Sequence, residues 1–340
     1  MIRFDCDYTE GCTQAVLDAL TKTNMEQSVG YGEDAYCGNA RNMIKAVCKT
    51  DGDVHFLVGG TQTNTVVIKT ALRPHQGVIA ADSGHISVHE SGAIESIGHK
   101  VITLPSEQGK ITAGQIEACV DAHYADSTHE HMVQPAMAYI SFPTECGTLY
   151  SKAELEAIYD VCKRKGIYLY IDGARLGYGL ESDECDLDIT DFANLCDAFY
   201  IGGTKVGALF GEALVVVNDT LKKDLRYIIK QQGGLLAKGR LLGVQFEALF
   251  ENDGYFKVSR HAIDLANKLK AGLESKGVKF LFNSPTNQLF PILPDEKLEE
   301  LSKDFGYSYW QRVDDKNSCV RFCTSWATSE QAVNKLLEKI

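Results

Sequence analysis

The chain has 340 residues, 44% of them hydrophobic, enough for one large core and a smaller one. A formal net charge of −12, with no run of Lys or Arg, argues against a nucleic-acid backbone or an anionic membrane as partner. Eleven cysteines, scattered, odd in number and without CxxC spacing, read as reduced thiols and argue against a disulfide framework or a structural zinc site.

The opening Met1-Ile-Arg-Phe-Asp5 has no apolar signal core, and no later stretch is apolar for long enough to span a bilayer; the expected setting is the cytoplasm. Between residues 54 and 217, short β-rich runs alternate with helical patterns, the rhythm of a wound α/β sheet. The expected strands are Val54–Val58, Gly77–Ala81, Lys100–Leu104, Ala136–Ser141, Ile167–Ile171, Ala198–Ile201 and Leu214–Val217. Several are apolar at nearly every position, as strands covered on both faces are. The helix after Tyr150 is delimited by the capping-box pair Ser151 and Glu154, a basic last turn Lys163-Arg164-Lys165, and Gly166. From about residue 245 the rhythm changes to a helix (His261–Ser275), strands (Val278–Phe282 and Gln288–Leu293), a helix, a strand (Cys319–Thr324) and a last helix. That helix opens on Thr328-Ser-Glu-Gln331, a second capping-box pattern. The expected division is a large domain with its N-terminal arm, 1–244, and a small C-terminal α+β domain, 245–340.

Four motifs fall just past expected strand ends, where open α/β sheets hold ligands. Gly59-Gly60-Thr61-Gln62 opens a helix with apolar residues at 67, 68, 71 and 72; its free N–H groups suit a phosphate, although a plain strand-to-helix turn explains it equally. His85, in Asp82-Ser-Gly-His85, reads either as a ring-stacking or proton-shuttling residue or as an ordinary satisfied histidine. In Asp172-Gly-Ala-Arg175 the acid and base form either a local salt bridge or a site, with Asp172 on a pyridine nitrogen and Arg175 on a substrate carboxylate. Lys205, in Tyr200-Ile-Gly-Gly-Thr-Lys205-Val, has little apolar surface to snorkel along; a partly desolvated lysine is a competent nucleophile toward a carbonyl.

Taken in order, Gly60-Thr61-Gln62, His85, Asp172-Gly-Ala-Arg175 and Thr204-Lys205 resemble the low-specificity L-threonine aldolases, β-eliminating lyases of fold type I. The resemblance runs from Phe4-Asp-Cys-Asp7 through Tyr31-Gly-Glu-Asp34 to Val320-Arg-Phe-Cys-Thr324. It implies an α/β fold with a mostly parallel seven-stranded sheet, and pyridoxal 5'-phosphate held as a Schiff base on Lys205 beside Thr204. By the same resemblance His85 stacks on the ring, Asp172 faces its nitrogen, and Gly60 and Thr61 receive the phosphate. Cys6, Arg175 and Arg321 bind the amino-acid carboxylate, and Tyr31, Lys238 and Arg240 reach a neighbouring subunit's site in a homo-oligomer, a dimer or tetramer. There are two departures: Cys6 stands where relatives carry a serine, and Thr144-Glu145-Cys-Gly147 replaces a Thr-His-Asn-Gly context near the substrate hydroxyl.

The implied reaction is retro-aldol cleavage of an L-3-hydroxy-α-amino acid to glycine and an aldehyde. Glu145 or His85, directly or through water, serves as base. Other pyridoxal-phosphate reactions on the same scaffold (β-elimination, racemisation, transamination) and a non-catalytic nucleotide-binding module are the alternatives; a lone phosphate loop would not need Lys205, Asp172 and Arg175 together.

Overall fold

Strands that are apolar at nearly every position need cover on both faces, and the computed structural model, which describes residues 1–340, provides it. All seven expected runs are strands: Asp53–Leu57, Gln76–Ala81, Val101–Leu104, Gln134–Ser141, Tyr168–Asp172, Ala198–Gly202 and Glu212–Val216. They form one sheet, in the spatial order 53–57, 212–216, 198–202, 168–172, 134–141, 76–81, 101–104. Only Glu212–Val216 runs against its neighbours; the other pairings are parallel. Side chains alternate between two cores, Ile140, Ile171, Phe199 and Val215 on one face and Tyr139, Tyr170, Tyr200 and Leu214 on the other.

The helix Lys152–Lys165 starts and stops where the pattern places it. Ser151 Oγ accepts from the Glu154 N–H at 3.2 Å, Glu154 accepts from the Ser151 N–H at 2.7 Å, and Gly166 closes it at φ +68°. The last helix differs. It is Glu330–Lys339, capped by Ser329, because Thr328 Oγ1 is already taken by the Ser325 N–H at 2.8 Å.

Beyond residue 250 a 22-residue helix, Gly254–Ser275, begins seven residues earlier than its periodicity indicates, with Tyr255 stacked on Phe250 at 5.1 Å. The run Gln288–Leu293 splits into Gln288–Leu289 and Pro291–Pro294, and an unanticipated strand Ser308–Arg312 pairs with Asn317–Cys323. Its Ser-Tyr-Trp-Gln-Arg composition is that of an exposed edge, which carries little apolar signal. The N-terminal arm joins this second unit. Ile2–Arg3 pairs in parallel with Phe305–Gly306, and Phe4 is fully buried among Leu269, Leu289 and Phe322. No helix is long and apolar enough to cross a membrane.

Candidate active site

The site forms where two adjacent strands end. Gly202 N–H donates to Gly173 O at 2.9 Å, so the turns carrying Asp172 and Lys205 touch through their backbones. A Cβ on Gly173 would lie 1.9 Å from Tyr200 O, and one on Gly202 would lie 2.2 Å from Ala174 O. Only glycine permits that approach, which explains the glycine in each motif.

Asp172 is buried and accepts from four donors: Tyr200 Oη at 2.5 Å, Tyr139 Oη at 2.6 Å, the Ala174 N–H at 3.0 Å and Asn64 Nδ2 at 3.2 Å. Burial alone would raise its pKa, but the His85 charge, the two tyrosine hydroxyls and Lys205 outweigh it and hold Asp172 below the usual carboxylate range. Asp172 makes no bond to Arg175, which sets aside the local salt-bridge reading of that motif.

The Lys205 amine has no hydrogen-bond or ion-pair partner; its contact is the Tyr8 ring, 6.0 Å from Nζ to centroid. Burial, then the Arg175 charge, hold it below the ordinary lysine range against the pull of Asp7, Asp172 and Glu212. Glu212 was not anticipated. It is a buried acid inside an otherwise apolar strand, pushed up to about 7 by burial despite Lys205, and it accepts the Gly203 N–H at 3.0 Å. Thr204 Oγ1 caps the same turn by accepting the Gly211 N–H at 2.9 Å.

His85 opens a single helical turn, His85–Val88. Its Nδ1 lies 2.9 Å from Glu90 Oε1, and its backbone N–H donates to Glu145 Oε1 at 2.9 Å. Glu145 is therefore beside His85, partly buried and also bound by Ser141 Oγ at 2.7 Å. Burial pushes its pKa up, against the Ser141 hydrogen bond. Glu90, which the sequence reading passed over, also accepts from Asn64 at 2.7 Å; its position five residues after His85 gave no periodic signal.

The arm brings Cys6, Asp7 and Tyr8 to this place. Arg175, expected on a substrate carboxylate, gives Nε and Nη2 to Asp7 at 2.6 and 2.9 Å, and Asn287 holds the same buried carboxylate at 2.8 Å. This qualifies the expected role, since the Nε/Nη2 edge is committed to Asp7 and a ligand can use only the remaining Nη1/Nη2 edge. Arg175→Ala strands Asp7 without its counter-charge, so we expect a stability loss of about 3 kcal/mol in addition to weaker substrate binding, measured as a fall in denaturation midpoint beside an unchanged wild-type control. Arg321 donates to Gln288 Oε1 at 3.2 Å and Asp5 O at 3.1 Å, near enough to His89, Tyr8 and Cys323 to act on their titration.

Tyr31 and Arg240 make their contacts outside this cluster. Tyr31 is exposed at φ +60° with Lys230 Nζ 4.9 Å from its ring, and its N–H donates to Ala237 O at 3.3 Å. Arg240 donates from Nη1 to Thr23 O and from Nη2 to Asn24 O. The Gly60–Ala71 helix has Gly59 as N-cap with no side-chain cap bond, so the N–H groups of Gly60, Thr61 and Gln62 are free, as an anion site requires.

These residues fit pyridoxal phosphate. An unpartnered amine can bond an aldehyde carbon, an ionised carboxylate can pair with a ring nitrogen, an imidazole stands nearby, and an uncapped helix start can take a phosphate.

A family model described as beta-eliminating lyase matches residues 4–295. A low specificity L-threonine aldolase of a Pseudomonas species is 30% identical, over 99% of this chain and 96% of its own length; one from Escherichia coli is 22% identical over 89% and 88%. A Leishmania major threonine aldolase structure superposes with a TM-score of 0.97 at 46% identity, covering 99% and 98% of the two chains. The aspartate aminotransferase of Thermus thermophilus, at 15% identity and a TM-score of 0.71 over 100% of this chain and 90% of its own, shares the fold alone. The architecture is thus fold type I, and with a family model spanning most of its length this chain belongs to the β-eliminating lyase family.

Proposed function

We propose that this chain is a pyridoxal-phosphate-dependent carbon–carbon lyase that cleaves L-threonine, L-allo-threonine or a related L-3-hydroxy-α-amino acid to glycine and an aldehyde. The observation that carries the reading is the unpartnered Lys205 amine, whose proton affinity is set by burial, the Arg175 charge and the ionised Asp172; the threonine aldolase activity for which the Pseudomonas and Leishmania relatives are named supports it. The direct test is product analysis with threonine. Glycine and acetaldehyde are expected; pyruvate or a keto acid with ammonia would instead assign β-elimination or transamination.

Lys205 and Thr204, Asp172, His85, Gly60 and Thr61 would hold the cofactor. Bound there, pyridoxal phosphate would supply the electron sink that lets a Cα–Cβ bond break. Arg175 and Arg321, with Cys6, orient the substrate carboxylate. Asp172 stays ionised under its four donors. His85 takes the β-hydroxyl proton: Glu90 Oε1 holds its Nδ1 at 2.9 Å, which leaves Nε2 for the substrate, whereas Glu145 is anchored through Oε1 to the His85 N–H and Ser141. Glu145→Gln keeps both acceptor contacts, so threonine turnover is expected to fall by less than about tenfold with the acidic limb of the pH–rate profile in place. A limb that vanishes in this variant would move the base to Glu145.

The exposed Tyr31, with Val29 and Tyr227 also exposed, supports a homo-oligomer in which Tyr31, Lys238 and Arg240 serve a neighbour's site. Eleven free thiols support a cytoplasmic setting. A division into a large unit and a small C-terminal one is supported by the second sheet and its core, which apart from the arm lie beyond residue 250; the helix Arg240–Phe250 runs across 244/245 and buries Leu249 and Phe250 in the large core, which favours a boundary past it.

A further inference from the structure

Glu90 occupies an unusual place for an acid. Its side chain is wholly shielded from solvent. Oε1 lies on His85 Nδ1 at 2.9 Å and on Asn64 Nδ2 at 2.7 Å, while the buried Oε2 has no partner. Asn64 also reaches Asp172 Oδ2 at 3.2 Å and accepts from Tyr170 Oη at 2.8 Å. A carboxylate so buried and so incompletely satisfied is costly unless a positive charge adjoins it, and the one group beside it able to acquire such a charge is the His85 imidazole.

We infer that Glu90 is a positioning residue for the cleavage reaction: it holds His85 with Nδ1–H toward itself, leaves Nε2 open to the substrate, and stabilises the imidazolium formed when the β-hydroxyl proton arrives at Nε2. The proton passes from oxygen to Nε2 and the imidazole becomes a cation; no proton moves to Glu90. This inference rests on the proposed cleavage of 3-hydroxy amino acids.

The charged and titratable groups facing His85 come from every side. His89 follows on the same turn with its ring centroid 5.8 Å away, Glu145 sits at the backbone N–H, Asp172 comes from its strand end, and Lys205 from the next. Burial works against a proton on His85, but the Glu90 hydrogen bond and the Asp172 charge outweigh burial and Lys205, so its affinity for a proton is raised. A raised pKa keeps the imidazole protonated to higher pH; removing the Glu90 charge must therefore shift the titration to lower pH.

Diethyl pyrocarbonate acylates only neutral imidazole, so the rate of His85 modification against pH, read by mass spectrometry of its peptide in the cofactor-loaded enzyme, follows this titration without turnover. In wild-type enzyme the midpoint is expected above that of N-acetylhistidine. In Glu90→Gln, which keeps the shape and an acceptor, it is expected to fall by about one pH unit, the acidic limb of kcat/KM for threonine falling with it, while the absorption change on adding glycine persists. A merely structural Glu90 would lower the unfolding temperature and leave the limb alone. A limb that stays in place in Glu90→Gln, whether or not the midpoint moves, overturns the inference. Should that variant not fold, a wild-type midpoint no higher than that of N-acetylhistidine overturns it. Wild-type enzyme that releases no aldehyde overturns the cleavage reading, whereas aldehyde release with an unmoved His85 midpoint overturns this inference alone.

Discussion

Lys205→Ala is expected to lower threonine cleavage by about ten-thousandfold, and to abolish the attachment of pyridoxal phosphate that borohydride would otherwise make permanent. In the wild-type protein the label should map to the peptide containing Thr204 and Lys205. The reason is that the amine is held apart from the carboxylates around it. It makes no ion pair, and burial with the Arg175 charge depresses its proton affinity, so its lone pair is available to an aldehyde more often than that of a surface lysine. Lys205→Arg separates the two properties of the residue, because it keeps a positive charge beside Asp7, Asp172 and Glu212 but offers no nucleophile. Both variants are expected to be inactive. A label on another lysine, or an active arginine variant, would dismiss Lys205 from its role.

Asp172→Asn is expected to cost about a thousandfold in turnover and about 1–3 kcal/mol in stability. Asp172 accepts from two tyrosines on opposite oxygens, with the Ala174 N–H on one and Asn64 on the other. An amide can accept on one side only, so its NH2 must face at least one hydroxyl or amide donor in a buried site. The negative charge that would keep a pyridine nitrogen protonated is lost at the same time. Cofactor content by absorbance, kcat with threonine and the denaturation midpoint separate the two losses. Near-normal turnover in a protein that still binds cofactor would remove Asp172 from the chemistry.

Much of this was legible in the residues. The seven strands announce themselves because burial on both faces demands continuous apolar runs, and Ser151 with Glu154 announces a helix start because both partners lie within four residues. Lys205, Asp172 and His85 could be placed because each directly follows such a strand. What stayed hidden depends on contacts across the chain. Asp7 meets Arg175 from the far N-terminal arm, Glu90 meets Asn64 from the preceding crossover, and Glu212 stands two residues ahead of the expected run Leu214–Val217, at the first position of the strand. The Thr328 box failed for a local reason: two hydroxyls, Thr328 and Ser329, competed for one cap, and the Ser325 turn took the first.

The pairing of Ile2–Arg3 with Phe305–Gly306 bears on how the protein is made. On the ribosome the arm emerges before its partner strand exists, so Phe4 must remain exposed until nearly the whole chain has been synthesised. Such a distant pairing forms late, because it closes a loop of roughly three hundred residues. Cys6 and Asp7 follow directly on that arm. The large sheet can therefore fold around Lys205 and Asp172 ahead of the arm, but Arg175 acquires its Asp7 partner only when translation is almost complete.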